Sequence, residues 1–180
     1  MGPFFHVGFF GRQSIGALAG AGAKGQRIRV ICRVLDGDGN PVPDAMIEVW
    51  QANAEGRYRH PDDAQDKPLD PALNGFGRFA TETDGSCTFE TVRPGRVPGP
   101  KDSHQAPHLN ISVFARGLLK RVTTRLYFAG DPANTEDPIL ALVPTERCST
   151  LLALPVAEKP GAWRFDIHLS GEHETVFFDI

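Results

Sequence analysis

The sequence lacks the features that mark several common classes of protein. It has only three cysteines in 180 residues, too few and an odd number for a disulfide framework or a zinc ribbon. No apolar run approaches the ~20 residues that a membrane-spanning helix needs. The N-terminus has neither the basic segment nor the long apolar run of a secretory signal. We therefore expect a protein of the cytoplasm with no membrane partner.

An excess of charge of one sign is also missing. The chain has 19 Lys and Arg residues against 22 Asp and Glu residues, a formal net charge of -3. Nucleic-acid-binding domains usually carry a basic excess, so nucleic acid is not an expected partner. The spacing Gly20-x-Gly22-x-x-Gly25 matches a dinucleotide-binding fingerprint, but a strand and not a helix is predicted to follow it, which argues against nucleotide binding.

What the sequence does contain is many turn-forming residues between short apolar segments. It has 19 Gly and 15 Pro residues, and 41% of its residues are hydrophobic. From Arg27 onward, apolar and polar residues alternate, which is typical of a half-buried antiparallel strand. We predict an all-β fold, an antiparallel β-sandwich in which residues 27–180 form a single domain and residues 1–26 form an N-terminal arm.

Seven or eight short strands are predicted. They lie at residues 27–34, 46–51, 76–81, 87–92, 108–116, 121–128, 163–169 and, last, 174–179. Two connections, roughly 52–75 and 93–107, are much longer than ordinary turns, and long loops in compact domains often carry function.

Few residues point to chemistry by themselves. Cys32 and Cys87 fall on apolar strand faces and are expected to fill the core. His108 and Asn110 share one face of a strand, but an amide is a poor ligand for a ferric or cupric ion. From the residues alone, His108 is expected to be a surface histidine beside a loop.

Four segments of the chain resemble the intradiol ring-cleaving dioxygenases. They are Ala45–His60, Thr91–Gly95, Ala106–Ile111 and Thr124–Phe128, and they occur in the order and at the spacing of that family. The resemblance extends from about Gly2 to Ile180. It implies the family's β-sandwich and the cleavage of a small aromatic diol by O2 at a non-haem ferric ion.

The same resemblance implies that this chain has an incomplete iron site. Catalytic chains of the family hold iron with two tyrosines and two histidines. Tyr58 and His108 match one of each, but Val97 and Asn110 occupy the other two positions. Gln105 stands where catalytic chains carry an arginine that stabilises charge in the substrate. Because ferric iron prefers anionic oxygen ligands, we expect this chain alone to have no bound metal and no catalytic residue, with these five positions as vestiges.

Within the family, the pattern resembles a non-catalytic alpha-type chain that pairs with a homologous, iron-bearing beta chain. In such chains, a segment that matches Gly2–Gly8 reaches the rim of the partner's active site, and an arginine that matches Arg116 is directed toward the substrate. Gly2, Pro3 and Arg116 are therefore expected to contribute to the partner's substrate pocket. For Arg116, a solvated strand end or a subunit salt bridge is an equal alternative.

Two other functions remain open at this point. The chain could be a β-sandwich binding or scaffold module that descends from a dioxygenase and takes no part in catalysis, in which case no homologous partner would purify with it. Alternatively, Tyr58 and His108 could hold a different ion in an independent metalloenzyme. That hypothesis predicts metal in equal amount with this chain alone.

Overall fold

The computed structural model describes residues 17–179 of the chain. Within that range the regular secondary structure is mostly β-strand, with only short 3-10 turns besides, which confirms the predicted all-β class. The strands are β1 (Arg27–Leu35), β2 (Met46–Trp50), β3 (Phe76–Ala80), β4 (Ser86–Val92), β5 (Val97–Pro98), β6 (His104–Gln105), β7 (His108–Phe114), β8 (Val122–Phe128), β9 (Leu152–Pro155) and β10 (Ala162–His168). Short 3-10 turns lie at Pro100–Asp102, Pro132–Glu136, Leu140–Leu142 and Thr145–Leu151.

One folded sheet encloses the core. Eight strands form it in the order β3-β2-β7-β8-β9-β10-β1-β4, while β5 and β6 pair in a separate hairpin. The rings of Phe79 on β3 and Phe89 on β4 stack with their centroids 4.6 Å apart. The two outer strands of the sheet therefore meet, and its two halves face each other as a sandwich that approaches a barrel.

The prediction of a purely antiparallel sandwich is corrected by two strand pairs. β1 pairs with β10 in parallel, and β8 pairs with β9 in parallel. Within each pair, a long stretch of chain connects the two strands. Parallel pairing requires such long connections, whereas tight hairpins produce antiparallel neighbours. The local alternation of residues does not report this difference.

The alternation does place the core correctly. Val30, Cys32 and Val34 of β1 are fully buried, while Arg29 and Arg33 on the other face form ion pairs with carboxylates of neighbouring strands. The predicted core-filling role of the cysteines is also seen, since Cys32 and its cross-strand partner on β4 are both buried and free.

The short strands and the end of the chain differ from the prediction. β5, β6 and β9 were not predicted. Residues 174–179 were predicted to form a strand, but they make only an isolated bridge between Phe178 and Thr123. β5, β6 and β9 have two to four residues each, too few for a period-two pattern to be recognised.

Residues 17–26 lead into β1 and contact the long loop that precedes β3. The Gly20 amide donates to the Ala72 carbonyl at 2.7 Å, and Leu18 is fully buried within the core. The segment predicted as an arm thus adds one side chain to the core. Gly2 and Pro3 lie outside the described residues.

In the part of the chain that the structure describes, no helix has the length and apolar character required to cross a membrane.

Candidate functional site

The loop that follows β2 holds Tyr58 in place. Asn53 is buried, and its side-chain oxygen accepts hydrogen bonds from the Glu55 and Arg57 amides at 3.0 and 2.9 Å. The Tyr58 amide then donates to the Asp63 carboxylate at 2.7 Å. These short-range bonds form a turn of the Asx type, and they direct the Tyr58 ring back over the sheet.

Strand β7 supplies the residues opposite Tyr58. His108 and Asn110 project from its outer face, while Leu109 and Ile111 enter the core with no exposed surface. His108 is only 3% exposed, so the expectation of a surface histidine is wrong. The segment after β8 covers this face: the Ala106 amide just before β7 donates to the Asp137 carboxylate at 2.6 Å.

The His108 ring has a defined proton position. Its Nδ1 lies 2.8 Å from the Ala106 carbonyl oxygen, which can only accept, so Nδ1 carries the proton and Nε2 has the free lone pair. Burial, together with the positive charge of Arg125, lowers the pKa of His108 from 6.5 to about 4. The imidazole is therefore neutral at physiological pH.

Tyr58, His108 and Asn110 form a small polar cluster. The Asn110 amide donates to the Tyr58 hydroxyl at 3.1 Å, and 3.5 Å separates that hydroxyl from His108 Nε2. Burial raises the pKa of Tyr58 above its ordinary value of 10.0. The phenol thus keeps its proton, and the amide of Asn110 and the imidazole of His108 satisfy it on two sides.

The hairpin β5–β6 forms the wall beside this cluster. Val97 and Gln105 are direct partners in its register, and Val97 is buried. Arg125 Nη1 donates to the Gln105 side-chain oxygen at 2.6 Å. An apolar side chain and an amide therefore stand where the family resemblance places a tyrosine and an arginine.

Sequence reasoning missed Arg125 and Asp137. Arg125 is the direct cross-strand partner of Asn110, so the two lie on the same sheet face. Arg125 and Tyr127 are two residues apart on β8 and therefore share a face, which is the signal in the sequence that points to Arg125. Asp137 is 1% exposed and accepts from the Ile139 and Leu140 amides. It fixes the cover over β7, and no pattern in the sequence marks it.

An open cavity of about 780 Å³ lies above Tyr58, between the 58–65 loop and the β5–β6 hairpin. It is lined by Trp50, Tyr58, His60, Asp62, Asp63, Ala64, Gln65, Val97, Pro98 and Gln105. We call it the aromatic cavity. The rings of Trp50 and Tyr58 are nearly parallel with centroids 5.9 Å apart, and His60 meets Trp50 edge-on at 6.2 Å.

The residues at this site do not fit a ferric ion. The resemblance implies four ligands, but Val97 has no donor atom and Asn110 offers a neutral amide that already donates to Tyr58. Of the four positions, Tyr58 is the one that could supply, on losing its proton, the anionic oxygen that ferric iron prefers. Within residues 17–179, no group of three or more His, Cys, Asp or Glu side chains is arranged as metal ligands.

Arg116 lies at the other end of β7, away from this cluster. It follows the strand by two residues, its side chain is 79% exposed, and its Nη2 lies 2.7 Å from the Asp44 carboxylate. The seven strand residues from His108 to Phe114 alone span roughly 20 Å. The structure therefore does not bring Arg116 to the cavity of its own chain.

Comparison with known proteins gives matches over the whole chain. A family model described as Dioxygenase matches residues 3–171. The protocatechuate 3,4-dioxygenase alpha chain of Burkholderia cepacia is 38% identical, with 100% of this chain and 94% of the relative covered. The corresponding alpha chain of Pseudomonas putida is 40% identical, with 99% and 92% covered. The beta chain of Burkholderia cepacia is 39% identical, with 84% and 67% covered.

Solved structures show the same fold. The dioxygenase domain of a dioxygenase and carbohydrate-binding protein fusion from Streptomyces sp. SirexAA-E is 27% identical, with a TM-score of 0.65 and 87% of each chain covered. A 3-chlorocatechol 1,2-dioxygenase from Rhodococcus opacus is 21% identical, with a TM-score of 0.67, and the match covers 87% of this chain and 65% of the other.

Proposed function

Because this chain belongs to the intradiol dioxygenases, a family that depends on ferric iron, we propose that it is the non-catalytic alpha subunit of a heteromeric protocatechuate 3,4-dioxygenase. Its partner is a homologous beta subunit that holds the ferric ion. Together the two chains cleave protocatechuate with O2 between its two hydroxylated carbons, giving 3-carboxy-cis,cis-muconate.

The observation that carries this proposal is the hydrogen-bonded cluster of Tyr58, His108 and Asn110 beside Val97. Three of these side chains satisfy one another with their protons in place, and the fourth is apolar. These four residues match the iron-ligand positions of the catalytic chains, and the contacts among the three polar ones support a structural role for the set in this chain. Full-length similarity to two alpha chains supports it further, and the scaffold alternative is not favoured.

The role of this chain in the reaction is to complete the partner's substrate pocket. We propose that Gly2 and Pro3 form part of the pocket rim and that Arg116 presents its guanidinium to the substrate carboxylate. A guanidinium binds a carboxylate through two parallel hydrogen bonds. A second chain over the pocket also excludes water, which strengthens the charge interactions inside it.

We also propose a cytoplasmic location for the complex. All three cysteines are free thiols, including the two that face each other across β1 and β4. Free thiols are typical of proteins in a reducing compartment.

Expression of this chain alone and together with its beta partner tests the proposed function. The chain alone should contain no stoichiometric iron and should not consume protocatechuate, whereas the two-chain complex should have both iron and activity. Iron is measured by atomic absorption and turnover by oxygen uptake. In the complex, Tyr58→Phe should leave the iron content unchanged. Iron and ring cleavage in the chain alone would contradict the proposal, and failure to form a complex would favour the scaffold module.

A further inference from the structure

The aromatic cavity has the volume of a ligand site, and the proposed function gives it no task. Its volume of about 780 Å³ falls in the range of small-molecule sites, roughly 300–1,000 Å³. Aromatic rings line one side, and the aliphatic side chains of Val97 and Pro98 line the other. A ligand built on a single ring could enter between these walls.

The rings of this cavity have faces that favour positive charge. Trp50 is flanked by two other residues that line the cavity, Tyr58 and His60, with ring centroids 5.9 and 6.2 Å away. The faces of aromatic rings carry partial negative charge and attract organic cations, tryptophan most strongly. Trp50 itself is only partly buried, so the cavity reaches its ring.

The formal charges on the cavity wall have the same sign. Asp62 and Asp63 both line it. Although partial burial acts in the opposite direction, hydrogen bonds from the Tyr58 amide and from Gln65 hold the pKa of Asp63 below its ordinary value of 3.8, so this group is ionised at physiological pH. The Asp62 carboxylate is 91% exposed and lies 3.6 Å from His60.

Positive charge is held away from the cavity. Among the described residues that line it there is no lysine or arginine. The guanidinium of Arg125 lies one layer behind Gln105, donates to its side-chain oxygen at 2.6 Å and stands over the Phe178 ring. Gln105 in turn donates to the Pro98 carbonyl. An anion in the cavity would meet two carboxylates in its wall, and the nearby Arg125 only behind Gln105.

We propose that the aromatic cavity is a binding site for a small organic cation, a protonated amine or quaternary ammonium on an apolar body. The cation lies against Trp50 with its charge toward Asp62 and Asp63, and its apolar body packs against Val97 and Pro98. This site is distinct from the benzoate-type chemistry of the proposed function, since its charges disfavour a carboxylate.

A series of three one-ring ligands that differ in charge tests this site on the full chain. Benzylammonium, benzyl alcohol and benzoate are titrated against the purified protein while tryptophan fluorescence is followed. The chain has two tryptophans. The second, Trp163 on β10, packs against Phe128 on β8 and lies outside the cavity. Trp163→Phe therefore isolates the signal of Trp50 and keeps a ring at the second position. Benzylammonium should bind more tightly than benzyl alcohol, and benzoate should bind least.

Two substitutions separate the contributions of charge and ring. Asp62→Asn should weaken benzylammonium binding by about twofold to threefold, as expected for an exposed charge, and leave benzyl alcohol unaffected. Asp66→Asn, which removes an exposed carboxylate that does not line the cavity, is the matched control and should change neither. Trp50→Phe, followed by calorimetry, should weaken the cation by about twofold to fivefold.

Equal binding of benzoate and benzylammonium would overturn the proposal, and so would no binding of the cation at millimolar concentration. Both results are obtained on the chain without a partner. They are therefore independent of whether the chain assembles with an iron-bearing subunit.

Discussion

The buried imidazole of His108 shows how a single residue changes character in this fold. Its neighbours leave Nδ1 bonded to a carbonyl and Nε2 facing a phenol. Its pKa of about 4 is lowered by burial and by Arg125. A histidine that cannot take up a proton until the solution is strongly acidic acts as a fixed hydrogen-bonding group and not as a switch at neutral pH.

Loss of stability on acidification follows from this residue. The unfolded chain protonates His108 near pH 6.5, and the folded chain near pH 4. The unfolded state thus binds more protons in this interval, so the stability that His108 contributes is complete above pH 6.5 and declines as the pH falls toward 4. The gap corresponds to about 3 kcal/mol in the free energy of unfolding.

His108→Gln should remove this component. Urea unfolding of the wild type and the variant between pH 7 and pH 4 gives the free energy of unfolding as a function of pH. The carboxylates titrate in both proteins, so the difference between the two slopes reports His108 alone. His104→Gln, at an exposed histidine on β6, should keep the wild-type slope. Identical slopes for all three proteins would show that His108 titrates as an ordinary histidine.

At the level of elements, the two halves of the sheet are joined by a buried amide. Gln51 follows β2 directly and is 1% exposed. Its Nε2 donates to the Val92 carbonyl at the end of β4 at 3.0 Å, and its Oε1 accepts from the Thr91 hydroxyl at 2.6 Å. One side chain therefore connects strands that lie on opposite sides of the core.

Gln51→Leu should destabilise the protein by about 2–4 kcal/mol. The change leaves the Thr91 hydroxyl and the Val92 carbonyl buried without this partner, and each unsatisfied group costs about 1–3 kcal/mol. Thermal unfolding followed by circular dichroism measures the loss. Thr88→Ala, on the exposed face of the same strand, should stay within about 0.5 kcal/mol of the wild type. If Gln51→Leu were as stable as Thr88→Ala, the buried amide would have no structural role.

Among the described residues, seven of the ten strands could be predicted from the sequence. Burial of one face imposes a period of two on strands such as β1 and β7. The small strands could not: β9 covers four residues and ends in a proline, with only Ala153 buried. For the site, Tyr58, His108, Asn110, Val97 and Gln105 could be named through the family resemblance. Asp137, which accepts from the Ala106 amide beside His108, is 31 residues away in sequence and comes there only through the tertiary fold.

On the scale of the whole molecule, the two ends of β7 have different surroundings. One end carries His108 and Asn110 beside the aromatic cavity, and the other leads to the exposed Arg116. In the proposed function, the second end faces the partner chain. The ion pair between Arg116 and Asp44 is exposed and adds little to stability, so the guanidinium is available for another carboxylate.

Arg116→Ala in the assembled enzyme should lower kcat/KM for protocatechuate roughly tenfold or more, through a higher KM, because a hydrogen bond to a charged group contributes about 1.5–3 kcal/mol. Iron content and the size of the complex should be unchanged. Arg121→Ala, at another exposed arginine of the β7–β8 connection, is the control and should leave the kinetics unaltered. Unchanged kinetics for Arg116→Ala would assign Arg116 to its ion pair alone.

The parallel ladder between β1 and β10 also determines how this chain can be made. The Arg33–Asp166 contact within it joins residues 133 positions apart. A ribosome makes β1 well before β10, so the second edge of β1 stays uncovered while the residues between the two strands are synthesised. Contacts between such distant residues slow folding, and an open strand edge can pair with other chains. Until β10 has been made, the nascent chain therefore carries an open strand edge that other chains could pair with.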